Sequence, residues 1–543
     1  MTAIPWVQEK WTEPERAVLE QYFTSADAPT FALRNLSPAV AAALFARYSR
    51  TSLSLRRLFL TEFAPVLADV QSSGAAGEAR AAQLLGKVIG EYGDDSVAQL
   101  GGAHLACEQV SNIMTKVLER PRLGSYLEQS TRYIDFQARQ ADGSRRYLRL
   151  DRYRGLDGHP ALPCEVRGAY VSHMEDLFSI YGTLTGMIQQ YLQGVFPASD
   201  NDKARQAAIR AKALDATRGL LPAATLSNLG IFASGQTFEG LLIRAAASPL
   251  PEVVAWGEMA LKALRQVIPD FLIRVDLPER GQRWSSYLAD TRAGVGAMLH
   301  SLGLDGTADA SSTRSVDLID FDPEAETKLV AAIAYPHSHL SESQLLSWAR
   351  GLSVEAKAEI ILASAGDRSD NRRHRPGRAW EAPVYRFDVV CDYGAFRDLQ
   401  RHRLCEIEWQ QLSPVHGYDI PELVEAAKVS FLYRDVMDRS AELYDQIAQV
   451  NPALAPYAVS LGYLCRFRMT MNAREAMHVL ELRSGPQGHP SYRAVAQQMH
   501  DQIAQVAGHH AIAAAMEHVD HSDGASGRLD AEIRLAAKQA RNA

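Results

Sequence analysis

Apolar residues recur at third and fourth positions through 38–47, 78–89, 253–267 and 494–516, the spacing that gives a helix one buried stripe. A helix is predicted over each of these stretches. A different period runs through 384–390, where Tyr385, Phe387 and Val389 alternate with Arg386 and Asp388. Alternation of this kind marks a strand with one face in a core. The pattern therefore predicts an α+β chain dominated by helices. Residues 303–315 (GLDGTADASSTRS) are small and polar, have no period, and are read as a linker.

A linker just past the midpoint prompts a search for an internal repeat. Arg120-Pro121-Arg122 is echoed 281 positions later by Arg401-His402-Arg403, and Leu241-Leu242-Ile243-Arg244 is echoed 239 positions later by Leu480-Glu481-Leu482-Arg483. An insertion in the first half accounts for the difference between the offsets. Most of it is expected over 135–164, which is rich in Gly, Arg, Asp and Pro. The expected organisation is a first copy over 1–302, a linker over 303–315 and a second copy over 316–543.

Composition narrows the class. The 543 residues are 47% hydrophobic, and 57 Lys+Arg against 64 Asp+Glu leave a formal charge of −7. Such a chain buries sizeable cores, which excludes a disordered or fibrous protein. Its mild acidity argues against coating nucleic acid or an anionic membrane, so neither is expected as a partner. Cys107, Cys164, Cys391, Cys405 and Cys465 are odd in number and form no C-x-x-C pair, which suits a reducing cytoplasm. No apolar run approaches the ~18 residues of a spanning helix, and residues 1–10 lack a basic-then-apolar leader. A cytoplasmic protein is expected.

The run Arg120-Pro-Arg-Leu-Gly-Ser-Tyr-Leu-Glu-Gln-Ser-Thr-Arg-Tyr133 resembles the signature of the flavin-dependent thymidylate synthases, which reads R-H-R, two residues, then S-x-N-E-x-S-x-R-Y. In the second half Arg401-His402-Arg403 restores the R-H-R triplet. Met471-Asn-Ala-Arg-Glu-Ala-Met-His-Val-Leu-Glu-Leu-Arg483 is similar to the family's later helix, N-A-R followed by L-x-L-R, and Glu381 lies 21 residues before His402, where the family also places a glutamate. The resemblance implies two fused copies of that fold, each helix-rich with a central mixed or antiparallel sheet.

Each copy departs from the family pattern, and the departures are complementary. In the first, Pro121 replaces the motif histidine, Leu127 replaces its asparagine, and the flavin-helix Asn and Arg would fall near 233–235, where neither occurs. That copy keeps nucleotide-facing positions: Glu128, Gln129, Ser130, Thr131 and Arg132, with Arg218 resembling a phosphate-contacting arginine. In the second copy Gln411 and Ser413 stand at the serine and arginine of that loop. It keeps positions that the resemblance assigns to flavin: Glu381, Arg401, His402, Arg403, Asn472 and Arg474, with His478 where the family often has Asn. The implied site is composite, built from the first-half loop and the second-half flavin face, within one chain or across a homodimer that mimics the family's tetramer.

The resemblance implies FAD-dependent reductive methylation of C5 of a uracil nucleotide, dUMP to dTMP, with methylenetetrahydrofolate as carbon donor and NADPH as reductant. The residue types suit that chemistry. Arginine forks match phosphate oxygens, so Arg132 and Arg218 with the Ser130 hydroxyl form a phosphate pocket. A fixed cation beside the uracil carbonyls answers charge that develops in the transition state, and Arg483 is assigned there, with Ser130 as the second catalytic candidate. Two alternatives stay open: a degenerate nucleotide-binding or regulatory homologue, and a flavin enzyme acting on another uridine nucleotide. Ser130-Thr131 also reads as a turn, Asn472 and Arg474 as helix surface, and Glu381 as a partner of a nearby arginine. Cys405 reads as a small buried apolar residue rather than a nucleophile. His509, His510, His518 and His521 lack the spacing of a known metal site, and no metal is expected.

Overall fold

The computed structural model describes residues 9–48, 51–65, 67–68, 99–132, 134–154, 159–196, 202–304 and 313–522. The helix expected over 78–89, the centre of the linker and Tyr133 lie outside the described residues. The described strands are β1 (Gly102–Ser111), β2 (Gly124–Glu128), β3 (Leu226–Ser234), β4 (Ser315–Phe321), β5 (Val384–Asp392), β6 (Glu406–Trp409) and β7 (Leu464–Asn472). They form two antiparallel sheets, ordered β1-β3-β2 and β4-β5-β7-β6, in a chain that is otherwise mostly helical.

The duplication is written in these orders. In the first sheet β1 runs into helix Asn112–Leu118, then the Arg120 triplet, then β2, with β3 between β1 and β2; in the second β5 runs into helix Tyr393–Leu399, then the Arg401 triplet, then β6, with β7 between β5 and β6. Each strand-to-helix passage is closed by a polar N-cap. The Ser111 side chain accepts from Met114 N and Asp392 from Ala395 N; farther on, Ser234 accepts from Thr237 N and Asn472 from Glu475 N. Caps of this type satisfy a helix-start N–H that would otherwise be orphaned. Among the described residues β4 has no counterpart in the first sheet.

The alternation over 384–390 sets the core of that sheet. Tyr385, Phe387 and Val389 are fully buried and face Met471, Met469 and Phe467 across the β5–β7 register, while Arg386 and Asp388 turn to the other face, where Asp388 holds Arg466 at 2.6 Å. Burial of each large apolar side chain contributes about 1.5–3 kcal/mol. The helices predicted over 38–47 and 253–267 form as Pro38–Tyr48 and Pro251–Leu264. The stretch 494–516 is instead two helices, Pro490–Gln505 and His510–Ala514, because Gly508 takes φ +72° between them. A positive φ is open to glycine and ends the first helix.

The chain divides into two compact units, Met1–Cys107 with Leu123–Leu127 and Leu229–Asp305, and Glu108–Arg122 with Glu128–Asn228 and Gly306–Ala543. Contacts define these units, whereas the copies 1–302 and 316–543 remain our proposal for the repeat. Among the described residues no helix is long and apolar enough to cross a membrane.

In the second unit Arg368 and Glu481, both almost fully buried, meet through two hydrogen bonds of 2.7 and 2.6 Å, and Arg368 also donates to the carbonyls of His374 and Ala515. Removing one partner strands a buried charge. Glu481→Ala is expected to lower the unfolding free energy by roughly 3–5 kcal/mol, whereas the double change Arg368→Met, Glu481→Leu costs far less. Urea denaturation of both variants checks this, and equal losses would show that packing rather than the charge pair is at stake.

Candidate active site

The second unit gathers the charged residues of both halves. Helix Tyr393–Leu399, started by the Asp392 cap, carries Arg397 and Asp398 and ends just before Arg401 and His402. Helix Ala473–Arg483 delivers Arg483 at its last position. Helix Pro490–Gln505 starts beside His489 and buries Tyr492. From the first half come the Glu128–Arg132 loop, Asp215 near the end of helix Asp202–Thr217, and Arg218.

Asp398 is the hub. Its carboxylate lies 3.4 Å from Arg218 and 3.9 Å from Arg483, and its carbonyl accepts from Arg483 Nη2 at 2.5 Å. Burial would raise this acid, but Arg218, Arg483, Arg401 and Arg132 outweigh burial and hold it well below the usual carboxylate range. Glu128 is a second hub. It is buried, and it bonds Arg397 at 2.5 Å and Arg401 at 2.8 Å with Lys116 at 3.5 Å, so again cations more than offset burial.

Arg132 is enclosed. It meets Asp215 through two hydrogen bonds of 2.8 and 2.9 Å, donates to Tyr492 Oη at 2.6 Å and to the Gln487 carbonyl at 3.2 Å, and stacks over the Tyr492 ring at 5.5 Å. Arg483 lies 5.4 Å from the same ring. Arg218 is buried differently: its Nη2 has no hydrogen-bond partner among the described residues, with Asp392 at 4.0 Å. A buried guanidinium N–H without an acceptor is costly and is a ready contact for an incoming anion. Ser130 Oγ accepts from Arg132 N at 3.2 Å, so the loop is also a local turn, while the Thr131 hydroxyl accepts from Arg397 and Gln129 N donates to the Asn228 carbonyl.

The residues that the resemblance assigns to flavin fall into three places. His402 accepts from Arg483 Nε at 2.8 Å through Nε2, which leaves its proton on Nδ1, 3.7 Å from Glu475. His478 crosses the His402 ring edge to face at 5.4 Å. His402, Glu475 and His478 lie close enough to share an ion, but the His402 Nε2 lone pair is already turned to Arg483, so the trio reads as two packed imidazoles beside a buried carboxylate. Arg474 reaches Glu381 at 3.6 Å and the Pro376 carbonyl at 2.9 Å; Asn472 is the helix cap. Arg403 is exposed. In the first triplet Arg120 pairs with Glu408 at 2.7 Å.

Asp215, Asp398, His489 and Tyr492 were not singled out by the sequence. Their only local signal is proximity in the chain to Arg218, Arg401 and Arg483. Burial pushes the Cys405 thiol well above its ordinary value, in keeping with an apolar role. The C-terminal histidines separate: His509 bonds Tyr385, His518 the Arg368 carbonyl, and His521 pairs with His500.

Comparison with known proteins locates the chain. The family model described as "Thymidylate synthase complementing protein" matches twice, over 37–270 and 317–508. The chain is 36% identical to a UPF0159 protein of Chlamydia muridarum over 97% of its own length and 99% of that protein's. It is 30% identical to a UPF0159 protein of Thermoplasma acidophilum, covering 91% of this chain and 98% of the other. Among solved structures, a UMP/dUMP methylase PolB from Streptomyces cacaoi bound with 5-Br dUMP is similar over 37% of this chain and 96% of its own, at 18% identity and TM-score 0.30.

Burial holds His402 well below its ordinary 6.5 and pushes His478 and His489 down to about 4. Each folded value lies below the unfolded one, so on acidification the unfolded chain binds protons first. The stabilisation is complete above about 6.5 and is lost as pH falls from there toward about 4. Asp398 and Glu128 extend the loss at lower pH, since their folded values are depressed too. Urea midpoints are therefore expected to fall between pH 7 and 4.5, and His402→Gln with His489→Gln should flatten that slope. An unchanged slope would show that other groups carry it.

Proposed function

This chain belongs to the thymidylate synthase complementing protein family, as a double-length tandem member, and from that premise we propose that it methylates C5 of a uracil nucleotide with FAD as cofactor. The observation that carries the reading is the convergence of Arg132, Arg218, Arg401 and Arg483 on Asp398, with the Arg218 Nη2 donor unfilled among the described residues. Four cations around a half-buried carboxylate suit a dianionic phosphate with a polar ring beside it.

The first half supplies the nucleotide side. Arg218 donates to the phosphate from its unfilled Nη2, and Arg132 turns part of its fork from Asp215 to the ligand. The Ser130 hydroxyl is one more donor on the same loop. Arg483 lies next to the uracil carbonyl edge, where charge gathers as a one-carbon unit adds at C5. His402 is a positioning residue: accepting from Arg483 Nε, it fixes the plane of that guanidinium and stays neutral.

FAD fits the second-half face. Arg403 and Arg375 are exposed cations suited to its diphosphate, and half-buried His478, within reach of the Arg375 charge, offers a ring. Glu381 and Arg474, the latter at the start of the Asn472-capped helix, would hold another part of FAD, and Arg401 stands apart on Glu128. When bound, FAD supplies the reducing equivalents, renewed from NADPH, that turn the methylene carbon of methylenetetrahydrofolate into the methyl group of dTMP. A second reading, a non-catalytic nucleotide-binding homologue, is favoured by one observation, the satisfaction of every Arg132 nitrogen by groups of the protein itself.

Arg132→Ala is expected to weaken dUMP by about 1.5–3 kcal/mol, roughly ten- to a hundredfold, with flavin content intact. Arg483→Ala should lower turnover more than ground-state binding. Arg474→Ala should empty the flavin site of the single FAD per chain. Separate titrations of dUMP and FAD decide among the readings. Protein that takes up no added FAD would sink the enzyme and leave the binding homologue.

A further inference from the structure

Helix Gly235–Ala246 is the first copy's counterpart of the flavin-type helix, but no Asn or Arg opens it. In the first unit it borders a cavity of about 320 Å³, lined among others by Gln236, Glu239, Arg274, Arg280 and Trp284. We propose that this cavity is a second ligand site of the protein and takes a nucleoside monophosphate.

Charge comes first. Glu239 is buried and bonded through both oxygens to Arg274 at 2.9 Å, so it presents no open anion to the cavity. Arg280 is exposed, and its side chain has no partner among the described residues. The lining thus offers a cation to an anionic group, and the arginine fork matches phosphate.

The second feature is a ring. Trp284 leaves 53% of its surface uncovered, four residues after Arg280 and so on the same side of the helical segment. An open indole is a platform on which any nucleobase stacks. Between these two residues Gly281 is buried, and a Cβ there would come within 1.8 Å of the Val275 carbonyl oxygen. Gly281 N also donates to the Arg274 carbonyl at 3.0 Å. This close approach fixes the backbone from which cation and ring project. The Gln236 amide accepts from Gln99 at 2.8 Å, which leaves its own NH2 for a base edge.

Size selects the class. The volume sits at the low end of the roughly 300–1,000 Å³ typical of small-molecule sites, which suits a mononucleotide and not a flavin dinucleotide. The site is independent of the reading under Proposed function, because its residues belong to the other unit.

Isothermal titration of the full chain with dUMP and with dTMP tests the proposal. Two equivalents per chain are expected for at least one probe. Arg280→Glu with Trp284→Ala should remove one equivalent or weaken it at least tenfold, and Arg132→Ala should affect only the other. Both cavity side chains are largely exposed, so the thermal midpoint of the double variant should match wild type and show it folded. Wild-type binding of one equivalent, lost in Arg132→Ala and untouched in the double variant, overturns the second site. Binding lost in the double variant but unchanged in Arg132→Ala supports it and instead removes the phosphate role of Arg132.

Discussion

Arginines buried beside few carboxylates constrain this protein more than any other feature. Arg218 and Arg483 border Asp398, with Arg132 near enough to act on its charge, while buried Arg397 and Lys116 share Glu128 with the more exposed Arg401. Taking such charges out of water is expensive unless each finds a counter-charge or a well-placed acceptor. The chain meets that demand almost everywhere, with Asp215 for Arg132, the Asp398 carbonyl for Arg483 and Glu128 for Arg401. Arg218 Nη2 and Arg397 Nε are exceptions in this cluster, each a buried nitrogen unanswered among the described residues. The local field is therefore cationic and incomplete, the condition under which an anion binds with most to gain.

Holding that cluster together depends on a passage that recurs in both copies: strand, polar N-cap, short helix, arginine triplet. The cap fixes where the helix starts, the helix length fixes where the triplet emerges, and the central strand fixes how far the next helix stands from it. The Asp392 cap also accepts a hydrogen bond from Ser491, so the start of the Arg397–Asp398 helix is tied to the start of the Tyr492 helix. Tyr492 in turn touches Arg132 and Arg483 together. A change at the cap would be felt by all three arginines.

Duplication allowed the copies to diverge. On the function we propose, one half supplies the nucleotide loop and the other the triplet, which would release the matching positions in each copy from that duty. Pro121 is buried where His402 sits in the other triplet, and Arg120 has become a surface partner of Glu408. The first copy's later helix has traded its Asn and Arg opening for a Ser234 cap and a wall of another cavity.

The sequence by itself determined the helical character of 38–47 and 253–267, the inward face of β5 and the existence of two copies. Those features are local or periodic: a stripe every three or four residues, an alternation of two, a motif at fixed spacing. It also marked Arg132, Arg218, Arg401, His402 and Arg483, because contiguous motifs carry them. What covers each charge was beyond it. Asp215, Asp398 and Tyr492 sit in ordinary helical surroundings, and only the chain's folding back over a span of 83 residues for Asp215 and 360 for Tyr492 brings them to Arg132. The break at Gly508 was likewise hidden, since an apolar period runs through it unchanged and a single positive φ decides the ending. Periodicity reports which side of an element is buried. Which buried charge answers which is decided by contacts distant in sequence, and only the tertiary structure holds those.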